Sequence, residues 1–264
     1  MVPLTYRWSS EGKEHELRFE PVPGTNGTPY RFGAGSNGLP VDISDFYIGA
    51  TPVTQEFWEH VMGSNPSARP DLRCPVENVS WEHITREGGF LDRINDGEIR
   101  SALTRPDSKL RFRLPSETEW EYAARGGPRW RDGFRFSGSN NPDEVAWFGR
   151  KWSGGALKWE LMKRLKRFWI SRPTRTHDVA TKLPNQLGLY DMSGNVWEWC
   201  QDTCAEIDAV PRDGTPWEGR GDERRLRGGC HHNWDIHCTV WWRYGIVPDA
   251  HDGCIGFRLA LAVR

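Results

Sequence analysis

Seven side chains able to bind a soft metal fall in one C-terminal stretch: Cys230, His231, His232, His237, Cys238, His251 and Cys254. Thiolate sulfur and imidazole nitrogen are donors that suit copper and zinc, so a cluster of them would equip a metal-dependent oxidase or another metalloenzyme. A harder donor set lies upstream. Asp191 and Glu198 flank the turn Ser193–Val196, and carboxylates together with turn carbonyls are oxygen ligands of the kind calcium takes. The plainer reading of that turn is structural, with solvated carboxylates.

The elements that must position these residues are read from pattern. Gly228-Gly229 permits a tight backbone approach, and Ile255-Gly256-Phe257-Arg258-Leu259 alternates like a closing strand. Between them, His231–His237 and Tyr244–Cys254 follow neither a helical nor a strand period, as expected of binding loops held by rigid ends. Upstream, short alternating runs such as Leu17–Glu20 predict a hairpin or edge strands within residues 1–30, and Asp42–Gly49 predicts a core strand. Thr54 caps a helix over Gln55–Met62, with Phe57, Trp58 and Val61 as its apolar stripe. Ser80 caps a second helix, which breaks at Gly88-Gly89. Ser116 and Glu119 form a capping box for a helix over Glu117–Arg125, whose Trp120, Ala123 and Ala124 face the core before Gly126-Gly127 stops it. Residues 128–150 are rich in loops.

The chain has 264 residues, 15 of them tryptophan, and a formal net charge of −1. The near-balanced charge gives no global case for nucleic acid or membrane binding. Abundant Gly, Pro and Trp favour a loop-rich fold pinned by aromatics over a helical bundle. Met1–Trp8 carries no apolar run suited to a signal peptide or a membrane span, so the default expectation is the cytoplasm. The six scattered cysteines then read as free thiols. Residues 156–169 form a basic amphipathic stretch with Leu157, Leu161, Leu165 and Phe168 at helical spacing. It reads as a surface helix packed by its apolar face, or as a contact for an acidic partner or membrane surface.

Six stretches then occur in a telling order: Phe46-Tyr47-Ile48 with Pro52-Val53-Thr54; Pro75–Trp81; Arg113–Gly127; Asn185–Trp199; Arg227-Gly228-Gly229; and Ile255-Gly256-Phe257-Arg258. This set resembles the formylglycine-generating-enzyme (sulfatase-modifying factor) family from about residue 30 to the C-terminus. The resemblance implies an α+β, C-type-lectin-like fold over 1–264, loop-rich, with few short helices and twisted antiparallel strands. It marks 156–174 as a basic surface insertion. It also implies a calcium site at Asp191, Gly194, Val196 and Glu198, with Asp in place of the family's Asn at the first position. The family's enzymes bind copper(I) through two cysteines five positions apart. Here Cys238 stands at the second position and Asn233 at the first, so no catalytic copper is expected.

Another branch of the family, the variable proteins of diversity-generating retroelements, fits the C-terminal segment 228–259 better. An AAC codon randomised at its adenines never yields Glu, Lys, Gln, Met or Trp. Positions 231, 232, 233, 236, 237, 244–247, 250 and 252–254 hold none of those five. The expected function is a hypervariable ligand-binding protein, not an enzyme, for a protein or cell-surface ligand and with no nucleic acid at the variable site. Its ligand-binding residues are His231, His232, Asn233, Ile236, His237, Trp241, Tyr244, Gly245, Ile246, Val247, Ala250, Asp252, Gly253 and Cys254. Apart from Trp241, which an AAC codon does not reach, they should lie mostly on one exposed face. Cys238, Val240, Arg243, Pro248 and Ile255 should point inward or brace the backbone. The alternatives are the metal-dependent oxidase and a catalytically dead partner module.

Overall fold

In the first strand Leu4, Tyr6 and Trp8 are buried while Arg7, Ser9 and Ser10 face solvent, the two-residue period of a half-buried sheet. The computed structural model describes residues 1–10, 12–34, 38–96, 98–104, 109–151 and 175–263. The 156–174 insertion lies outside the described residues.

In chain order the elements are β1 (Leu4–Ser10), β2 (Lys13–Val22), β3 (Tyr30–Phe32), β4 (Leu39–Val41), β5 (Phe46–Gly49), α1 (Gln55–Met62), α2 (Trp81–Thr85), α3 (Phe90–Asn95) and α4 (Glu98–Ser101). There follow β6 (Leu110–Arg113), α5 (Glu117–Ala124), α6 (Pro142–Val145), β7 (Ala146–Trp147), β8 (Ser193–Gly194), β9 (Trp197–Thr203), β10 (Arg224–Arg227), β11 (Tyr244–Ile246), β12 (Ile255–Phe257) and β13 (Ala260–Val263). A five-stranded sheet runs β1-β2-β5-β13-β6, and a four-stranded sheet runs β11-β10-β9-β12. The fold is mixed, strand-rich and served by short helices, the α+β class the sequence implied. Among the described residues no helix is long and apolar enough to cross a membrane.

The caps act as their sequence suggests. Thr54 accepts the amide of Phe57, and Gly63 ends α1 in the left-handed region. Ser116 and Glu119 close a reciprocal capping box on α5. Two expected strands are shorter than their patterns. Residues 42–45 turn away from the sheet because Ile43 carbonyl accepts the amide of Thr25 and Asp45 accepts that of Gly24. At the C-terminus β12 ends at Phe257. The chain then changes sheets through Arg258 and Leu259, so β12 pairs parallel with β9 while β13 pairs antiparallel with β5 and β6.

Aromatic and aliphatic side chains fill the space beneath these sheets. One cluster gathers Phe19, Phe57, Phe90, Phe112, Trp199 and Phe257; a second gathers Tyr30, Phe32, Phe46, Trp120 and Tyr122. Helix α5 is buried on every side, its glutamates included. That is not what its apolar residues alone suggest, and it sets up the charge scaffold below.

Candidate functional site

Glu117 and Glu121, one turn apart on α5, sit below the C-terminal segment. Glu117 receives Arg243 in a two-pronged contact, Nε and an Nη each donating at 2.7 Å, and Arg225 Nε lies 3.2 Å from the same carboxylate. Arg227, fully buried, donates to Glu121 and to the carbonyls of Val240 and Trp242. Arg125 donates to Glu121 from the other side. Desolvation pushes the Glu117 carboxyl up, and the surrounding guanidiniums outweigh it, so its pKa is lowered overall. The planar Arg fork suits such carboxylate pairing. Arg243 thus pins the residue just before β11, and Cys238, Val240 and Ile255 are buried beneath the same segment.

Above this scaffold β11 is the outer strand of its sheet, pairing Tyr244 with Leu226 and Ile246 with Arg224. Tyr244 is 37 % exposed and Val247 45 % exposed, two of the few large apolar side chains left to solvent. Gly253 is exposed, and His232, Ile236, Gly245, Ile246, Ala250 and Asp252 are half-buried. Four expected surface residues are not on the surface: His231, Asn233, His237 and Cys254 are buried. Each has a structural tie. His231 Nδ1 lies 2.8 Å from Asn195 carbonyl, and Asn233 accepts the amide of Cys230. The His237 ring packs edge-on against Trp242, and Cys254 belongs to the main apolar cluster. Burial lowers the pKa of both His231 and His237 to about 4. Trp241 is partly buried against the second cluster. Gly245 is also less permissive than its loop-like sequence suggests: a Cβ there would stand 2.3 Å from Cys204 Sγ. Gly253 has no such obstacle. Pro248, expected to brace, is half-buried, and its carbonyl accepts the amide of Glu82 at the start of α2.

The seven soft donors divide. Cys230, His231, His232 and Cys254 converge, their ligand atoms all within 4.8 Å of one another. Cys238 packs separately with Phe136 and Val145, and His251 is exposed. Asn233 stands where the family's first copper cysteine would be, and its amide cannot supply a thiolate. The residues present therefore do not fit the family's two-cysteine copper site.

At the expected calcium site Asp191 and Glu198 are both buried. Burial raises Asp191 to about 6, and Glu198 adds to the rise. Two carboxylates against the single guanidinium of Arg258 fit a cation in charge. Glu198 itself is engaged, however: both its oxygens accept from Arg258 at 2.7 Å, and Trp120 Nε1 donates at 2.6 Å. Asp191 is engaged in the same way, accepting the amide of Ala180 at 2.9 Å and the side-chain amide of Asn195 at 3.4 Å, so both carboxylates of the expected set already carry partners. The turn is sharply bent, with positive φ at Asp191, Gly194 and Asn195. Gly194 is required, since a Cβ there would lie 2.1 Å from Trp147 carbonyl.

Residues 26–263 match the sulfatase-modifying factor enzyme 1-like domain, and the chain belongs to that family. It is 32 % identical to the formylglycine-generating enzyme of Streptomyces coelicolor over 87 % of this chain and 69 % of that protein. It is 38 % identical to the chaperone protein LppX of Paenibacillus barcinonensis, over 61 % of this chain and 63 % of the relative, slightly less than two thirds of that protein's length. Among solved structures it is similar to Treponema denticola variable protein 1, with a TM-score of 0.71, 28 % identity and coverage of 97 % of this chain and 98 % of that one.

The buried glutamates were missed by sequence reasoning. Their signal was present: Glu117 and Glu121 stand four apart on the helix whose stripe includes Trp120 and Ala124, with Arg225, Arg227 and Arg243 in the downstream framework.

Proposed function

We propose that this chain is a non-enzymatic ligand-binding protein whose C-terminal segment has been diversified by a retroelement. The supporting observation is the exposed apolar pair Tyr244 and Val247, carried at the sheet edge and braced from below by the Arg243–Glu117 contact. Exposed apolar groups mark a binding surface where they gather into one patch on a rigid frame. The recognition surface comprises His232, Ile236, Tyr244, Ile246, Val247, Ala250, Asp252 and Gly253. Its target is a protein or a cell-surface molecule. Similarity to Treponema denticola variable protein 1 over nearly the full length of both chains supports the reading. So does Asn233 at the position that copper oxidation needs as a thiolate.

Exposed positions of this kind change at about ±0.5 kcal/mol each. The test is a combined substitution Tyr244→Ser, Val247→Ser and Ile236→Ser, with the melting temperature followed alongside binding to arrayed cell-surface proteins and glycans. The expected outcome is a nearly unchanged melting temperature and loss of any array signal. Retained binding would refute the assignment of this surface. In the same reading, calcium held by Asp191, Gly194, Val196 and Glu198 would neutralise buried carboxylate charge and hold the turn.

A further inference from the structure

The two variable segments meet at one place. Cys230, His231 and His232 follow β10, and Cys254 immediately precedes β12. Cys230, His231 and Cys254 are buried and His232 is half-buried, with one ligand atom from each inside a 4.8 Å group. His232 Nδ1 is 3.1 Å from Cys254 Sγ, and the two imidazole centroids are 4.3 Å apart. A tetrahedral zinc ion with two sulfur and two nitrogen ligands would set its donors about 3.3–3.8 Å apart, from bonds of about 2.3 and 2.0 Å. The observed cluster needs only a small contraction to reach that.

We propose that Cys230, His231, His232 and Cys254 form a zinc site that ties the two variable segments together, a site distinct from the family's copper position at 233 and 238. Four protein ligands of this composition make a closed, structural zinc centre. The surroundings are arranged for it. A carbonyl oxygen only accepts, so His231 Nδ1 carries its proton toward Asn195 carbonyl, the orienting contact that metal-bound histidines use, and Nε2 is the ring nitrogen that would ligate the metal. Asn233 closes the turn by accepting the amide of Cys230 at 2.9 Å, and Asp252 accepts the amide of Cys254 at 2.7 Å. Both cysteines are thereby held by their backbones. The cluster adjoins a recess of about 240 Å³ that His231, His232, Gly253 and Glu77 line. Glu77 is buried there and its Oε2 has no hydrogen-bond partner. Its Oε1 accepts the amide of Ala68 at 2.7 Å, and the unpartnered Oε2 beside the cluster favours a cation. The inference stands apart from the ligand-binding reading but constrains it: as zinc ligands, positions 231, 232 and 254 are held fixed, and diversification falls on the other positions of the segment.

The test uses the full chain, reduced and stripped of metal, titrated with cobalt(II) and then zinc(II). One equivalent of cobalt is expected to give the visible d–d bands and the thiolate charge-transfer band of a tetrahedral sulfur–nitrogen site, and zinc is expected to displace it. His232→Ala removes a half-exposed ligand with little risk to folding and should weaken zinc binding at least tenfold. Cys254→Ser should about halve the charge-transfer band and weaken zinc binding, since Cys230 alone still supplies a thiolate, whereas Cys204→Ser, outside the cluster, should leave titration unchanged. A folded, reduced wild-type chain that shows no thiolate–cobalt band overturns the proposal. So does copper(I) uptake without zinc uptake, or zinc affinity that is unaltered by both His232→Ala and Cys254→Ser. A Cys230–Cys254 disulfide seen by mass spectrometry, with no metal uptake after its reduction, overturns it too. Loss of array binding in the Tyr244, Val247 and Ile236 variant would leave the cobalt spectrum intact, so the two readings fail separately.

Discussion

Replacing Glu117 by Gln probes the scaffold most directly. The carboxylate takes both prongs of Arg243 at 2.7 Å and lies 3.2 Å from Arg225 Nε and 3.7 Å from Arg227. Arg227 is fully buried, and the side chains of Arg225 and Arg243 are 9 % and 18 % exposed. In the wild-type chain Glu117 and Glu121 face Arg125, Arg225, Arg227 and Arg243. The substitution leaves Glu121 alone against four guanidiniums. Gln also offers one acceptor oxygen where the carboxylate offers two, so one prong of Arg243 is lost. Breaking a buried pair by removing one partner costs about 3–5 kcal/mol, because a charge is left buried without compensation. A domain of this kind holds about 5–15 kcal/mol in all. Urea unfolding should register that loss directly. Hydrogen exchange should also accelerate at the amides of Tyr244–Ile246, because Arg243 no longer pins the entry to β11. A stability loss under about 1 kcal/mol with unchanged exchange would refute the claim that the buried charges brace the binding segment.

Two further outcomes follow from the same geometry. Burial, reinforced by Glu117, raises Asp202 to about 7 from the ordinary 3.8. A carboxyl raised in the folded state contributes stability that is present below its unfolded pKa and lost as pH rises through about 4 to 7. His231 and His237, lowered to about 4, act oppositely and lose stability as pH falls from about 6.5 to 4. Asp202→Asn removes the first term only, so the variant's stability relative to wild type should rise by up to about 4 kcal/mol between pH 4 and pH 8. Parallel pH curves for the two proteins would contradict this. Calcium at a hundredfold excess over its dissociation constant should stabilise the folded chain by about 2.7 kcal/mol. Asp191→Ala should erase that gain, and a melting temperature indifferent to calcium and to chelator would remove the calcium assignment.

Local chemistry was legible from the sequence wherever a few adjacent residues decide the outcome. Thr54, Ser80 and Ser116 start their helices, and Gly126 ends α5, because capping is a contact over three or four residues. The ordered motifs carried the family and its fold for the same reason: each is a contiguous stretch whose spacing survives in one dimension. Burial in the C-terminal segment was not legible. His231, Asn233, His237 and Cys254 share a polar, aperiodic stretch with Tyr244 and Val247, and nothing in residue type separates those that turn inward from those that face out. Asn195 and the main apolar cluster, distant in sequence, make that choice for His231 and Cys254, while Asn233 and His237 are tied to Cys230 and Trp242 by the way the segment folds back on itself. Likewise Glu117 and Glu121 look solvent-facing on α5 until Arg243 and Arg227 arrive from more than a hundred residues away. A charge is buried only where its partner is brought to it, and that meeting is decided by tertiary structure.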